Sequence, residues 1–175
     1  PAGVPVVQTI FSPLSQAKNL VGGELLLVHL RQHPSEVRAG LKTITESTLR
    51  FLEAALKTGI DGIFYAVQHA SSALLSESEY RQFGREDDLE ILHNLEGTWL
   101  NLLHLHGEHI QFQAFCDYPV QVVNWHDRDT APTLGEALAQ FPGALCGGLQ
   151  RERTMVLGNP VSVTAEAHDA IQATA

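Results

Sequence analysis

Five short apolar runs constrain the fold of this chain more than any other feature of its sequence. They cover residues 4–11, 60–67, 100–107, 120–125 and 144–149. Each run is largely continuous rather than alternating between apolar and polar residues, which is typical of parallel strands buried on both faces. The longer segments between the runs leave room for crossover helices. The sequence therefore predicts an α/β fold with five parallel strands.

The connecting segments carry helical signals of unequal clarity. The strongest covers residues 34–58, where apolar residues recur every three or four positions between Pro34 and Gly59. Residues 14–30 are ambiguous, because a Gly22-Gly23 pair interrupts them and their apolar run fits either a strand or a short buried helix. The spacing of their apolar residues favours a helix.

Two capping boxes mark further helix starts. In each, a hydroxyl residue is followed three positions later by Glu: Ser76 with Glu79, and Thr133 with Glu136. We also expect a short helix over residues 108–115 and a last helix from about Val161. Helices thus alternate with the five strands along the chain.

Two architectures contain such a sheet, the doubly wound sheet and the (β/α)8 barrel. No glycine-rich phosphate fingerprint follows any of the five runs, which argues against the dinucleotide-binding form of the first. In a barrel the active groups collect on the loops after the strands. Polar residues collect there in this chain, at His69, His104, His106, residues 124–128, Arg151 and Arg153. This pattern favours a TIM barrel.

The length of the chain limits how much of a barrel it can form. A complete barrel needs roughly 250 residues, whereas this chain has 175. Five strands therefore predict a partial barrel. We expect residues 1–175 to form a single domain that is a fragment of a longer chain, or that is closed by a partner copy in a homodimer, because open barrel edges are unfavourable.

Composition excludes several classes of partner. A net charge of -9, a pI near 5.4 and the absence of any Lys/Arg run argue against nucleic acid or an anionic membrane surface. No stretch approaches the ~18 apolar residues of a membrane span and no signal peptide is recognised, so the cytoplasm is the expected location. Cys116 and Cys146 fit neither a disulfide framework nor a zinc motif, and we expect both to be reduced and largely buried.

His104 and His106 are the first candidates for chemistry. They are two residues apart in a predicted strand, so their side chains leave the same face of the sheet. Two such nitrogens could share a metal ion or bind an anion. The alternative is that one histidine packs in the core and the other begins the loop.

Other polar residues share the predicted active end of the barrel. His69 is either a loop residue or a contact to a carboxylate or metal. His126 could be oriented by Asp127, although adjacent residues on a strand point to opposite faces. Arg128, Arg151 and Arg153 are either solvated loop residues or cations for a substrate with several carboxylates.

Six segments form an ordered set along the chain: residues 9–14, residues 55–64, His104-Leu105-His106-Gly107, Asn124-Trp125, Gly147-Gly148-Leu149 and Gly158-Asn159-Pro160. In their order and spacing they resemble the uroporphyrinogen decarboxylase family. The resemblance covers almost the whole chain. It implies a (β/α)8 barrel in which these strands are about the third to the seventh.

The resemblance implies two alternative chemistries, of which a decarboxylase comes first. Such a carboxy-lyase removes carboxylates from acetate side chains of a tetrapyrrole in porphyrin and heme biosynthesis, without a cofactor. For this chemistry the candidate catalytic residues are His69, His104, His106 and His126, and the candidate substrate contacts are Asn19, Gln68, Asn124, Arg128, Arg151 and Arg153. Asn19 and Gln68 stand where decarboxylases have tyrosine and serine.

The second chemistry implied is zinc-dependent methyl transfer between a corrinoid and a thiol. His104 and His106 fall on the His-x-Cys pair that holds zinc in that branch, with His106 in place of the cysteine. The resemblance places a third ligand beyond Ala175, and His69 or His126 could substitute for it. A corrinoid protein would then be a partner. A non-catalytic tetrapyrrole or corrinoid binder is the third alternative.

Overall fold

One parallel sheet organises the computed structural model, which describes residues 3–175. Within those residues the sheet has five strands: β1 (Val7–Phe11), β2 (Gly62–Val67), β3 (Leu102–Leu105), β4 (Val122–Trp125) and β5 (Ala144–Cys146). Each strand pairs in parallel with its neighbour in chain order. The order does not reverse as it does in a doubly wound sheet. The α/β fold of a partial TIM barrel, as predicted, is confirmed.

Helices connect the strands, and the first three lie between β1 and β2. They are α1 (Pro13–Val21), α2 (Gly23–Gln32) and α3 (Pro34–Leu56). The ambiguous segment is helical, as favoured, but it forms two helices because Gly22 adopts a positive φ of 88°. The helix predicted over residues 34–58 is confirmed to within two residues of its end.

Four further helices follow β2, of which the first and the third begin at the predicted capping boxes. They are α4 (Glu77–Tyr80), α5 (Glu86–His93), α6 (Leu134–Leu138) and α7 (Pro160–Ala173), with π-helical turns at Arg81–Arg85 and Arg151–Met155. Both predicted capping boxes form. A third, between Asn159 and Ser162, starts α7 and was not predicted.

The helix predicted over residues 108–115 is wrong over its first half. Only Phe112–Phe115 is helical, and it is a single 3-10 turn. Gly107 and His109 have φ values of 106° and 52°, which an α-helix excludes. Ile110 instead forms an isolated bridge with Ser71.

The helices pack against one face of the sheet. Its side chains form the core together with the helices, and they are fully or almost fully buried: Ile63, Tyr65, Val67, Leu103, Leu105, Val123 and Trp125. Each such aliphatic side chain contributes about 1.5–3 kcal/mol by leaving water. The opposite face is less buried, with Thr9, Phe11 and Cys146 exposed. The expected burial on both faces is therefore not seen in the described residues.

A buried acidic group lies within the helical layer. The Asp88 carboxylate accepts hydrogen bonds from the hydroxyls of Tyr65 at 2.6 Å, Tyr118 at 3.0 Å and Tyr80. Burial raises the pKa of Asp88 to about 6, although the three hydroxyl donors act to lower it. The neighbouring Asp87 pairs with Arg38 at 2.6 Å. None of the helices formed by the described residues is long and apolar enough to cross a membrane.

Candidate active site

The register of the sheet places a row of polar side chains on its less buried face. Ala66 pairs with His104, His104 with Asn124, and Asn124 with Cys146. Paired residues in a parallel sheet point to the same face, and side chains alternate along each strand. This open face at the carboxyl ends of the strands is where barrel enzymes place their active groups.

Three histidines converge on this face. The ring centroids of His104, His106 and His126 lie 5.7 Å, 5.8 Å and 5.8 Å apart. One nitrogen from each ring lies within 4.8 Å of the corresponding nitrogens of the other two. His126 follows β4 directly, so its position two residues beyond Asn124 brings it beside His106. We call these three side chains the histidine cluster.

His104 is the most constrained member of the histidine cluster. Its Nδ1 lies 2.6 Å from Oδ1 of Asn124, whose Nδ2 donates to the backbone oxygen of Cys146 at 2.6 Å. The ring of Phe64 stacks on the imidazole, with centroids 5.2 Å apart and an interplanar angle of 27°. Two neighbouring strands therefore fix the orientation of this ring.

The surroundings of His104 and His106 favour neutral imidazoles. Burial lowers the pKa of His104, against the effect of its hydrogen bond to Asn124. Burial also lowers the pKa of His106, and the nearby charges of His126, Arg151 and Lys18 lower it further. Neutral imidazole is the form that offers a lone pair to a metal ion or to a proton.

His126 carries an unsatisfied polar atom. Its Nε2 is buried and has no hydrogen-bond partner among the described residues. A buried nitrogen without a partner costs roughly 1–3 kcal/mol, and a metal ion would satisfy it. Three imidazoles suit zinc and similar divalent transition metals. Three protein ligands, rather than four, are typical of a catalytic zinc site with an open position.

His69 lies apart from the histidine cluster. Its side chain is 2% exposed, and it follows Val67, which points into the helical layer. Nδ1 of His69 has no hydrogen-bond partner within residues 3–175, and burial, followed by the charge of Lys18, lowers the pKa of His69 to about 4. Among the described residues, His69 is not part of the group of nitrogens that could share a metal ion.

The predicted cations do not all face the site. Arg128 contacts α7, since its guanidinium lies 2.7 Å from Asp169 and donates to the backbone oxygens of Gly148 at 3.1 Å and Glu166 at 3.2 Å. Arg151 and Arg153 are exposed on the π-helical turn after β5. Of the three, Arg151 is close enough to lower the pKa of His104 and His106.

Gln68 and Asn19, the other predicted substrate contacts, lie in different parts of the structure. Gln68 lies at the end of β2, where its Oε1 accepts from Lys18 Nζ at 3.2 Å. Asn19 is exposed on α1 and lines a separate cavity beside β1, together with Phe11 and Phe51. Asn19 is therefore not brought to the histidine cluster.

Asp127 does not orient His126. Its Oδ1 instead accepts from the backbone nitrogen of Gly148 at 2.7 Å, which holds the chain as it leaves β5. Cys146 is exposed rather than buried, because it occupies the open face in register with Asn124. Lys18, whose charge acts on His106, was not predicted, because a lysine on an amphipathic helix carries no signal that separates it from solvated ones.

Comparisons with known proteins identify a family and a similar fold. The family model described as uroporphyrinogen decarboxylase (URO-D) matches residues 1–175. Comparison with the curated proteins gives no match. Among solved structures, a methyltransferase from Methanosarcina mazei is similar, with a TM-score of 0.85 and 19% sequence identity. The similarity covers 99% of this chain and 51% of the other, so the chain spans about half the length of that methyltransferase.

Proposed function

The chain belongs to the uroporphyrinogen decarboxylase family, and on that premise we propose that it carries the metal site of an enzyme that transfers a methyl group between a corrinoid and a thiol. His104, His106 and His126 would hold the metal, and zinc fits their donor set. The convergence of three imidazole nitrogens within 4.8 Å carries the proposal. The methyltransferase fold neighbour is consistent with it.

Bound zinc would supply Lewis acidity that favours the thiolate form of a thiol at neutral pH. The reaction itself forms a sulfur–methyl bond with the thiolate electron pair. The methyl–cobalt bond breaks at the same time and leaves its electron pair on the corrinoid cobalt. Such a transfer needs the two reactants in line and water excluded, which the protein must provide.

Residues around the cluster supply positioning and charge. Phe64 covers one face of His104, and Asn124 holds its edge. Lys18 and Arg151 approach the cluster from α1 and from the turn after β5. In an otherwise acidic chain, these two cations favour a substrate that carries an anionic group. A corrinoid protein, a homodimer and a cytoplasmic location remain predictions.

Decarboxylation of a tetrapyrrole is the second candidate, and the description of the matching family model favours it. It needs several cations for the acetate groups. Arg151 and Arg153 are exposed and suit this role, but Arg128 is engaged with α7. The cluster would then move protons rather than hold a metal. The engagement of Arg128 supports methyl transfer as the first candidate. A non-catalytic binder stays third.

Two incubations of the full-length protein separate the candidates. The first contains methylcobalamin and a thiol, with and without a chelator, and the second contains uroporphyrinogen. We expect demethylation of the corrinoid that the chelator abolishes and added zinc restores. Loss of carboxylates from uroporphyrinogen, insensitive to the chelator and without corrinoid demethylation, would replace this proposal by the second candidate. No product in either incubation would favour the binder.

A further inference from the structure

We propose that Asn124 is a positioning residue that fixes His104 as the tautomer with the proton on Nδ1, so that Nε2 keeps its lone pair free. The sequence suggested a substrate contact for Asn124. In the structure both ends of its side-chain amide are used within the protein. The side chain therefore acts through His104 rather than on a substrate.

The backbone oxygen of Cys146 determines which way the amide faces. This oxygen can only accept a hydrogen bond, and it lies 2.6 Å from the terminal atom of Asn124 assigned as Nδ2. A flipped amide would place two oxygens at that distance, which is repulsive. Nδ2 must therefore point to Cys146, and Oδ1 must point to His104.

The orientation of the amide then determines the tautomer of His104. Oδ1 of Asn124 can only accept, and it lies 2.6 Å from Nδ1 of the imidazole. Nδ1 must carry the proton of the neutral ring. Nε2 is then the unprotonated nitrogen.

The acceptor that anchors Asn124 is itself held in place. Immediately after β5, the backbone nitrogen of Gly148 donates to Asp127 at 2.7 Å and its oxygen accepts from Arg128 at 3.1 Å. Gly147 has no room for a Cβ, because the Asp127 carboxylate occupies that space. These contacts hold the chain that follows the carbonyl of Cys146. Rotation of the Asn124 amide would break its hydrogen bond to that carbonyl.

A free Nε2 is what either chemistry requires of His104. Under the proposed function it is the atom that binds the metal, and under the second candidate it is the atom that accepts a proton. The inferred tautomer of His104 does not depend on which of the two reactions the protein performs. Only the effect of Asn124 on metal affinity rests on the proposed function.

The test reads the ring nitrogens of His104 by 15N NMR in the metal-free, full-length protein. Asn124→Leu removes both hydrogen bonds of the amide, and Asn124→Ala removes them with a smaller side chain. Cys146→Ala is the matched control, because it changes the neighbouring side chain and keeps the carbonyl. We expect the Nδ1–H tautomer in the wild type and Cys146→Ala, and a shift toward Nε2–H in Asn124→Leu and Asn124→Ala.

Zinc titration of the same proteins supplies the second readout. Loss of an outer partner of a metal-bound histidine weakens affinity by about 10- to 100-fold, which we expect for Asn124→Leu. Cys146→Ala should stay within a few-fold of the wild type. Nε2–H in the wild type, or an unchanged tautomer in Asn124→Leu, would overturn the inference. If Asn124→Leu does not fold, the wild-type and Asn124→Ala spectra decide, and an unchanged tautomer in Asn124→Ala would overturn the inference. The expected tautomers without any zinc binding would overturn the proposed function alone.

Discussion

The hydroxyl of Tyr65 donates a 2.6 Å hydrogen bond to Oδ1 of Asp88, and both side chains are buried. Tyr65 lies on β2, and Asp88 lies on α5. The bond therefore joins the sheet to the helical layer through an ionisable group. Burial raises the pKa of Asp88 from 3.8 to about 6, so the folded protein keeps this proton to a higher pH than the unfolded chain does.

The first prediction concerns the stability of the fold between pH 4 and pH 7. The folded pKa of Asp88 lies above its unfolded value, so its stabilising effect is fully present below the unfolded pKa and is lost as the pH rises through about 6. Relative to Asp88→Asn, the wild type should lose an amount on the order of 1–3 kcal/mol over this range. Urea denaturation at a series of pH values measures it. Parallel pH profiles for the two proteins would contradict the prediction.

The second prediction concerns the third member of the histidine cluster. His126→Ala should lose the increase in Tm that zinc gives the wild type, because a ligand that binds only the folded state raises stability. Zinc affinity should fall by more than the roughly 10- to 100-fold that loss of an outer partner costs. His93→Ala, which changes an exposed histidine on α5, is the control. An equal response to zinc in both variants would exclude His126 as a ligand.

The third prediction separates two arginines by their roles. Arg128→Gln should lower the free energy of unfolding by about 1–2 kcal/mol, because Arg128 connects the end of β4 to α7. The KM of the Arg128→Gln variant for the thiol should not change. Arg151→Gln should leave stability unchanged and raise KM for thioglycolate by about 2- to 5-fold, with no change for uncharged 2-mercaptoethanol. Equal effects on the two thiols would argue against a charge contact from Arg151.

The fourth prediction compares two glycines that differ in the space around them. A Cβ on Gly62 would overlap the backbone oxygen of Leu100, which cannot move without disturbing the start of β3. Gly62→Ala should therefore cost about 1–3 kcal/mol. Gly40 lies within α3 with nothing near its missing Cβ, so Gly40→Ala should stabilise the protein by about 0.5–1 kcal/mol. Urea denaturation of both variants checks the opposite signs.

Much of the fold could be predicted from the sequence, because apolar periodicity and capping chemistry act locally. The ends of the strands could not be predicted in this way. The first apolar run begins at residue 4, but β1 begins at Val7, and Val4 is 69% exposed. Pairing with β2, rather than apolar character, determines where β1 starts. The left-handed backbone at His109, which ended the predicted helix, has no sequence signal as clear as a glycine.

The candidate site could be predicted only in part. The shared face of His104 and His106 follows from the two-residue period of a strand. Bringing His126 to the same point requires the register that pairs His104 with Asn124, and a single sequence does not contain that register. Cys146 was expected in the core because an apolar run was interpreted as buried on both faces. Its side chain lies on the open face instead.

The three histidines belong to one parallel crossover, which runs from β3 through the Phe112–Phe115 turn to β4. A cluster built this way is complete once those two strands pair. A metal ion bound there would oppose local opening of the crossover more strongly than opening of the remote edge strand β1. Zinc should then slow amide hydrogen exchange more at Leu103 and Val123 than at Ile10. The histidine cluster would thus act as a folding unit inside the sheet, and metal would make the strands that carry it among the last parts of the described chain to open.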